Sequence, residues 1–529
     1  MALPAAGPVR DTDGYRPPEI TGLAGLLDRQ VRERPYARAL IVTADRVHLS
    51  FRALATLADD MAARLGATGL RRGAAIGLIG ANTVEFVVAL LGAARAGLVV
   101  APLDPALPGK ELSARLDALG APAVLVGRPA TDAPPVVPVG VPTWPLRVDV
   151  SRAGTAAVDL DTGPSVRQVR GAAEELMPGD ALVLYTAGTT ARARMVPLTH
   201  ANVAASVRGI CAGYRLGPED ATVAVMPFFH GHGLFAALLA SLAGGGCVLL
   251  PAGGRFSTRT FRDDMRAAGA TWFTAVPTVH EILLDRAEFE HPVPHGPPLR
   301  FVRSCSAPLN PATQRALERA FGAPLLSAYG TTEATHQATS EPLPQHGVLK
   351  HGSVGLPTGV HVRVADRNGR PCPAGVQGEV WLRGPTVARG YLAEPERTAR
   401  GFAGGWLRTG DLGSLDADGY LSLTGRIDNI INRGGEKVSP ERVEDILAGC
   451  PGVAEAAVFA VPDPVYGQRV GAAVAVRTGE TIGAEEILRY CRDRLAACEV
   501  PDRLELVAAL PHTAKGGLDR VAVEARYVR

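Results

Sequence analysis

The sequence predicts an α/β protein: a large N-terminal region of parallel α/β layers with a small β-rich subdomain, then a compact C-terminal α+β domain. Three observations carry this. Amphipathic helices followed by a Gly and a short apolar strand recur through most of the chain. From about residue 353 the texture changes to short strand-like runs broken by turns. After GRIDN (425–429) it changes again, to a mixture of helices and strands about a hundred residues long.

Three helix–strand units define the first texture: ELSARLDALG before APAVLVG, FRDDMRAAG before ATWFTAVP, and TQRALERAFG before APLLSAYG. The run LFAALLASLAGGGCVLL (234–250) is about one membrane span long. Gly244, Gly245 and Gly246 interrupt it, so a buried helix followed by a buried strand is expected. GSVGLPTGVHVRVADRNGRPCPAGVQGEVWLRG (352–384) reads as a β-rich subdomain over 353–427. In the last part SPERVEDILAGC reads as helix, VAEAAVFAVPD and GAAVAVRTG as strands, and GAEEILRYCRDRLA as helix. The predicted organisation is therefore 1–427 and 428–529, with the joint at Asp428.

At 529 residues the chain is long enough for more than one core. Its 47% apolar and 20% charged residues are ordinary for a globular protein, and a net charge of +2 without a basic run argues against a nucleic-acid surface. MALPAAGPVRDTDGY has no charged n-region followed by an apolar h-region. Seven scattered cysteines form no CxxC pair, so a reduced, cytoplasmic protein without a membrane partner is expected. Only four lysines occur: Lys110, Lys350, Lys437 and Lys515.

Four segments carry chemistry. In LVLYTAGTTARARMVPLTH (182–200) an apolar strand runs into Thr186-Ala187-Gly188-Thr189-Thr190, where small residues and hydroxyls suit backbone N–H groups curling around phosphate. SAYGTTEATH (327–336) sets Tyr329, Gly330, two hydroxyls and Glu333 after a strand. WLRTGDLG (406–413) places Asp411 in a Gly-flanked turn, and GRIDNIINRGGEKVSP (425–440) adds Arg426, Asp428 and a Gly pair.

Together these segments resemble the adenylate-forming superfamily of acyl-CoA synthetases, peptide-synthetase adenylation domains and luciferases, over nearly the whole chain and in family order. PFFHGHGL, PAGGRFSTRTF, ATWFTAVPTVHEILLDR, RSCSAPL, TEATH and INRGGEKVSP resemble its oxalate–CoA ligase group. The resemblance implies an AMP-forming ligase. ATP with Mg²⁺ converts an acid into its adenylate with release of pyrophosphate, and an acceptor, by default CoA, then takes the acyl group. It also implies site roles. Thr186, Gly188, Thr189 and Thr190 face the phosphates; Ser306, Ala307, Pro308, Tyr329 and Gly330 hold the adenine. Thr332 binds the α-phosphate, Glu333 holds Mg²⁺, Asp411 accepts from the ribose hydroxyls and Arg426 adds charge beside it. Asp428 is the hinge, and Gly434, Gly435 and Lys437 face the acceptor. His230, His232, Ser304 and His336 resemble a polar pocket for a compact dianion; imidazole and hydroxyl donors suit a second carboxylate, whereas an alkyl chain needs an apolar tunnel.

Two departures stand out against the family pattern. The phosphate loop carries Ala191, Ala193, Arg194 and Met195 where the family usually has Gly, Pro, Lys and Gly. In PHTAKGGLDR (511–520) Gly517 stands where the family has its catalytic lysine. Lys515 is the substitute, reaching the same face if the loop is extended. The alternatives are activation without CoA, either nitrite-dependent diazotisation of an aryl amine or amide ligation, and a catalytically impaired nucleotide-binding protein.

Overall fold

The computed structural model describes residues 15–42, 45–129, 138–151, 156–163, 166–167, 171–186, 193–287, 298–433, 436–477, 479–513 and 517–528. Five sheets organise them. The largest has seven strands, in the order Ala156–Leu160, Thr143–Val150, Val124–Val126, Ala75–Ile79, Val99–Leu103, Asp180–Tyr185 and Met195–Thr199. Its central strands Ala75–Ile79 and Val99–Leu103 run parallel and are buried at every residue. That double burial is why they read as continuous apolar runs rather than alternating ones.

The helix–Gly–strand units form as the sequence predicts. Helix Gly109–Leu119 stops at Gly120 and helix Pro311–Phe321 at Gly322; both glycines take left-handed φ, at 79° and 62°, and turn the chain into the following strand. A five-stranded sheet then runs in the order Trp272–Ala275, Phe301–Ser304, Leu325–Tyr329, Thr339–Ser340, Leu356–Pro357. The first three strands pair in parallel, and the last two are each added by antiparallel pairing. The apolar stretch 234–250 is indeed helix then strand. It opens as a π-helix, His232–Leu239, continues as Ala240–Gly244, and ends in strand Cys247–Leu249, parallel to Arg38–Val42. No helix of the described residues is long and apolar enough to cross a membrane.

The β-rich segment is an antiparallel sheet built on the long strand Trp406–Leu415, which pairs with Gly378–Arg383, Phe402–Ala403 and Leu421–Arg426. A single 3₁₀ turn, Ile427–Asn429, joins it to the last sheet. There the long hairpin Val453–Asp463/Gly467–Val476 is covered on one face by helices Pro440–Ala448 and Ala484–Arg492 around Val443, Leu447, Ile487 and Cys491. Helix Arg520–Tyr527 covers the other face through Val523 and Tyr527, the latter stacked on Phe459.

One ion pair sets the approach of distant segments. Asp180, with a fully buried side chain, opens the strand that leads to Thr186. It accepts two hydrogen bonds from Arg389, at 2.6 and 2.8 Å, and one from the Met177 amide. Arg389 thereby fixes the segment that carries Ala388 and Tyr391. Asp180→Ala leaves that guanidinium without its charge partner. We expect a loss of about 2 kcal/mol, read from the urea unfolding midpoint at unchanged m-value.

Candidate active site

Two clusters of expected site residues meet at the C-terminal end of strand Leu325–Tyr329. In the first, Tyr329 and Asp411 are both buried, and the Tyr329 hydroxyl donates to the Asp411 carboxylate. Arg426 Nη1 lies 3.4 Å from the other carboxylate oxygen, and the Asp411 amide donates to Thr409 Oγ1 at 3.0 Å. Burial pushes the Asp411 carboxyl up from its usual range, and the Arg426 charge acts against that shift. Burial and the neighbouring Asp411 charge also raise the Tyr329 phenol. Thr332 and Glu333 sit in a 3₁₀ turn capped by Thr331, whose hydroxyl accepts from the Ala334 amide at 3.2 Å. Glu333 Oε1 accepts from the Tyr391 hydroxyl at 2.8 Å, and its carbonyl accepts from the Ala388 amide at 2.8 Å. Arg194 packs over the Tyr391 ring at 5.5 Å. The charged residue that departs from the family loop is thus held one side chain away from Glu333.

The second cluster gathers residues expected to line the acid pocket. His232 and His336 are buried, with their rings stacked at 5.3 Å and 24°. His232 Nδ1 is 3.1 Å from Ser306 Oγ, and its Nε2 is 2.6 Å from Thr274 Oγ1. Beneath both rings lies Arg303, fully buried, from the strand Phe301–Ser304. Its guanidinium reaches Tyr214 Oη (2.8 Å), His232 Nε2 (3.0 Å), Thr274 Oγ1 (3.0 Å), His336 Nε2 (3.1 Å) and Gln337 Oε1 (3.0 Å). Among the described residues no carboxylate pairs with it. Burial first, and the Arg303 charge second, hold both imidazoles well below their ordinary range, so both are neutral. His230 stands at the rim, its Nδ1 accepting from the His232 amide at 3.3 Å.

Backbone strain gathers at the same place. Ser306, Thr335 and His336 are non-glycine residues with φ of 77°, 54° and 77°. Such conformations cost of order 1–3 kcal/mol each and collect at functional sites. Thr335 is locked by hydrogen bonds to the Thr386 carbonyl and from Ser206 Oγ.

Not every expected residue joins the clusters. Ser304 pairs with Ala275 one register step beyond the Thr274–Arg303 pair, and strand alternation puts it on the sheet face opposite Arg303. Ser306, expected beside adenine, is the serine that touches His232, while Ala307 and Pro308 are exposed next to it. Thr186 is described, but Gly188, Thr189 and Thr190 lie outside the described residues, as do Gly434, Gly435 and Lys515; the side chains of Asp428 and Lys437 also lie outside the description. On either side of the undescribed residues 514–516, Thr513 donates through both its amide (2.8 Å) and hydroxyl (3.1 Å) to the Gly517 carbonyl, and His512 bridges to Leu518. Arg303, Thr274, Gln337 and Tyr391 were missed from the sequence. The available signal was a lone Arg inside the otherwise apolar strand FVRS.

The described residues fit a magnesium nucleotide. Thr186 Oγ1 is a buried hydroxyl without a partner among the described residues, as befits a phosphate donor, and Asp411 offers a carboxylate beside a cation. Among the described residues no group of three or more His, Cys, Asp or Glu could hold a metal ion by itself, but Mg²⁺ on a nucleotide takes one or two carboxylates plus phosphate oxygens, which Glu333 can satisfy. A Cβ added at Gly330 would fall 1.2 Å from the His336 carbonyl oxygen. Gly330→Ala is therefore expected to displace both clusters at once, raising KM for ATP and for the acid together in a pyrophosphate-exchange assay.

Residues 27–392 match the AMP-binding enzyme family and residues 442–516 its C-terminal domain. The chain is 42% identical to an oxalate–CoA ligase of Arabidopsis thaliana, covering 96% of this chain and 98% of that one. It is 33% identical to a sulfoacetate–CoA ligase of Cupriavidus necator, over 95% and 96%. ATP-bound MatB from Rhodopseudomonas palustris superposes with a TM-score of 0.80 at 28% identity, over 96% and 99%. ATP-dependent activation of an acid as its adenylate, followed by transfer to CoA, is the chemistry these findings support, with ATP, Mg²⁺ and CoA as its requirements. The chain belongs to the AMP-binding enzyme family of adenylate-forming ligases.

Proposed function

We propose that this ligase activates a short dianionic acid of the oxalate type and delivers it to CoA. The observation that carries the proposal is the acid pocket: two stacked neutral imidazoles and a buried guanidinium, with no carboxylate among the described residues to balance it. A second anionic group on the acid supplies that balance. The oxalate–CoA and sulfoacetate–CoA ligases among its relatives are named for acids of this kind.

In the proposed site the Tyr329–Asp411–Arg426 cluster holds the nucleoside, with Asp411 accepting from the ribose. Thr332 donates to the α-phosphate. Glu333, oriented by the Tyr391 hydroxyl, is the ligand for Mg²⁺, which neutralises phosphate charge when bound. Asp428, in the turn between the two parts of the chain, is the hinge about which the C-terminal domain turns. Glu333→Gln keeps the hydrogen-bonding shape but loses the charge; adenylation is expected to fall about 100-fold or more with nucleoside binding retained.

The acid is identified by pyrophosphate release over oxalate, longer diacids, monocarboxylic acids, aromatic acids and nitrite, each with CoA or an amine. Release with oxalate and CoA is expected. Release only with nitrite and an aryl amine would replace the ligase reading by the diazotising one. Lys515 is the proposed stand-in for the missing lysine at Gly517; Lys515→Ala should lower the adenylation rate, and unchanged turnover removes that role.

A further inference from the structure

Arg303 has five N–H donors and uses all of them on neutral acceptors: Tyr214 Oη, His232 Nε2, Thr274 Oγ1, His336 Nε2 and Gln337 Oε1. Arginine stays protonated in proteins, so each partner must present a lone pair. For His336 the consequence is direct. Its Nε2 faces only the guanidinium, at 3.1 Å, so the ring proton sits on Nδ1. For His232 the Thr274 hydroxyl, itself accepting from Arg303, has its proton free to donate into the same Nε2. That ring proton also sits on Nδ1, 3.1 Å from Ser306 Oγ. His336 Nδ1–H has no protein acceptor among the described residues.

We propose that Arg303 is the positioning and specificity residue of the acid site: it fixes His232 and His336 as Nδ1–H tautomers, so that His336 offers its Nδ1–H to the distal anionic group of the acid while His232 donates to Ser306 Oγ and leaves that hydroxyl's own proton free for the same group, and its unbalanced charge makes that anionic group the condition of tight binding. This rests on the diacid reading for its substrate class, and on hydrogen-bond geometry alone for the tautomers. A proton on either Nε2 would oppose the guanidinium N–H groups, so an imidazolium is excluded there too. The rings are donors by compulsion, and the pocket carries one positive charge that no side chain among the described residues cancels. An uncharged distal group would leave that cation buried without a counter-charge, a costly state.

The test begins without turnover. Protein labelled with ¹⁵N-histidine is examined by long-range ¹H–¹⁵N correlation at neutral pH. Two buried rings should show a protonated Nδ1 and an unprotonated Nε2. A protonated Nε2 on either ring overturns the assignment. In Arg303→Met at least one ring should leave that tautomer, and KM for the diacid should rise about 100-fold while KM for ATP stays near wild type. Equal losses for diacid and monoacid substrates would overturn the specificity role. Should that variant fail to fold, His336 replaces it. Asn carries its amide N–H near the Nδ1 position and also accepts left-handed φ, whereas Gln carries its amide near Nε2. His336→Asn should keep kcat/KM for the diacid within about tenfold, and His336→Gln, compared at matched thermal stability, should lose about 100-fold. Equal loss in the two sinks the proposal. Because the spectra need no substrate, failure of the tautomer assignment is distinct from failure of the diacid reading, which the acid screen decides.

Discussion

A guanidinium buried at the end of a parallel strand, with no counter-ion among the described residues, is the constraint around which the proposed acid half of this enzyme is arranged. Removing a charge from water costs several kcal/mol, and only a full set of well-aligned acceptors makes it tolerable. Arg303 recruits them from across the chain: Tyr214 at the end of one helix, His232 at the start of the π-helix, Thr274 on the neighbouring strand, and His336 and Gln337 from the turn after Tyr329. Those segments are far apart in sequence, and the shared cation defines their mutual position. Below it Tyr214 and Trp272 both stack on Phe301, at 5.0 and 5.2 Å, giving the charge an apolar floor that water does not reach.

The proposed nucleotide half is organised differently. Its carboxylates, Glu333 and Asp411, each take a hydrogen bond from a tyrosine, and a nearby arginine sits behind each: Arg194 against Tyr391, Arg426 against Asp411. The two halves share the short run from Tyr329 to Gln337. Gly330 lies so close to the His336 carbonyl that a movement of one half is felt by the other. Coupling of acid and ATP binding then follows from packing and needs no separate device.

Much of this was legible in the sequence. The helix–Gly–strand units and the helix–strand reading of 234–250 follow from periodicity and turn chemistry. The nucleotide residues stand in short motifs whose order carries the resemblance. The acid pocket was only half legible. His232 and His336 are visible as histidines in polar turns, but Arg303 is invisible as a site residue because its role depends on which strand lies beside it. Ser304 and Ser306 could not be told apart either: strand alternation decides which serine faces which side, and the chain leaves the strand between them.

The left-handed backbone at Ser306, Thr335 and His336 has a consequence for how this pocket can change. Left-handed φ admits Gly, Asn, Asp and His far more readily than β-branched or bulky residues. At residue 336, in the proposed acid pocket, the favoured alphabet is therefore small and mostly polar, whatever acid selection favours. Drift toward a hydrophobic substrate cannot proceed by planting Val, Ile or Leu at residue 336. It has to come from the π-helix or the neighbouring strand, whose backbones accept apolar side chains without strain.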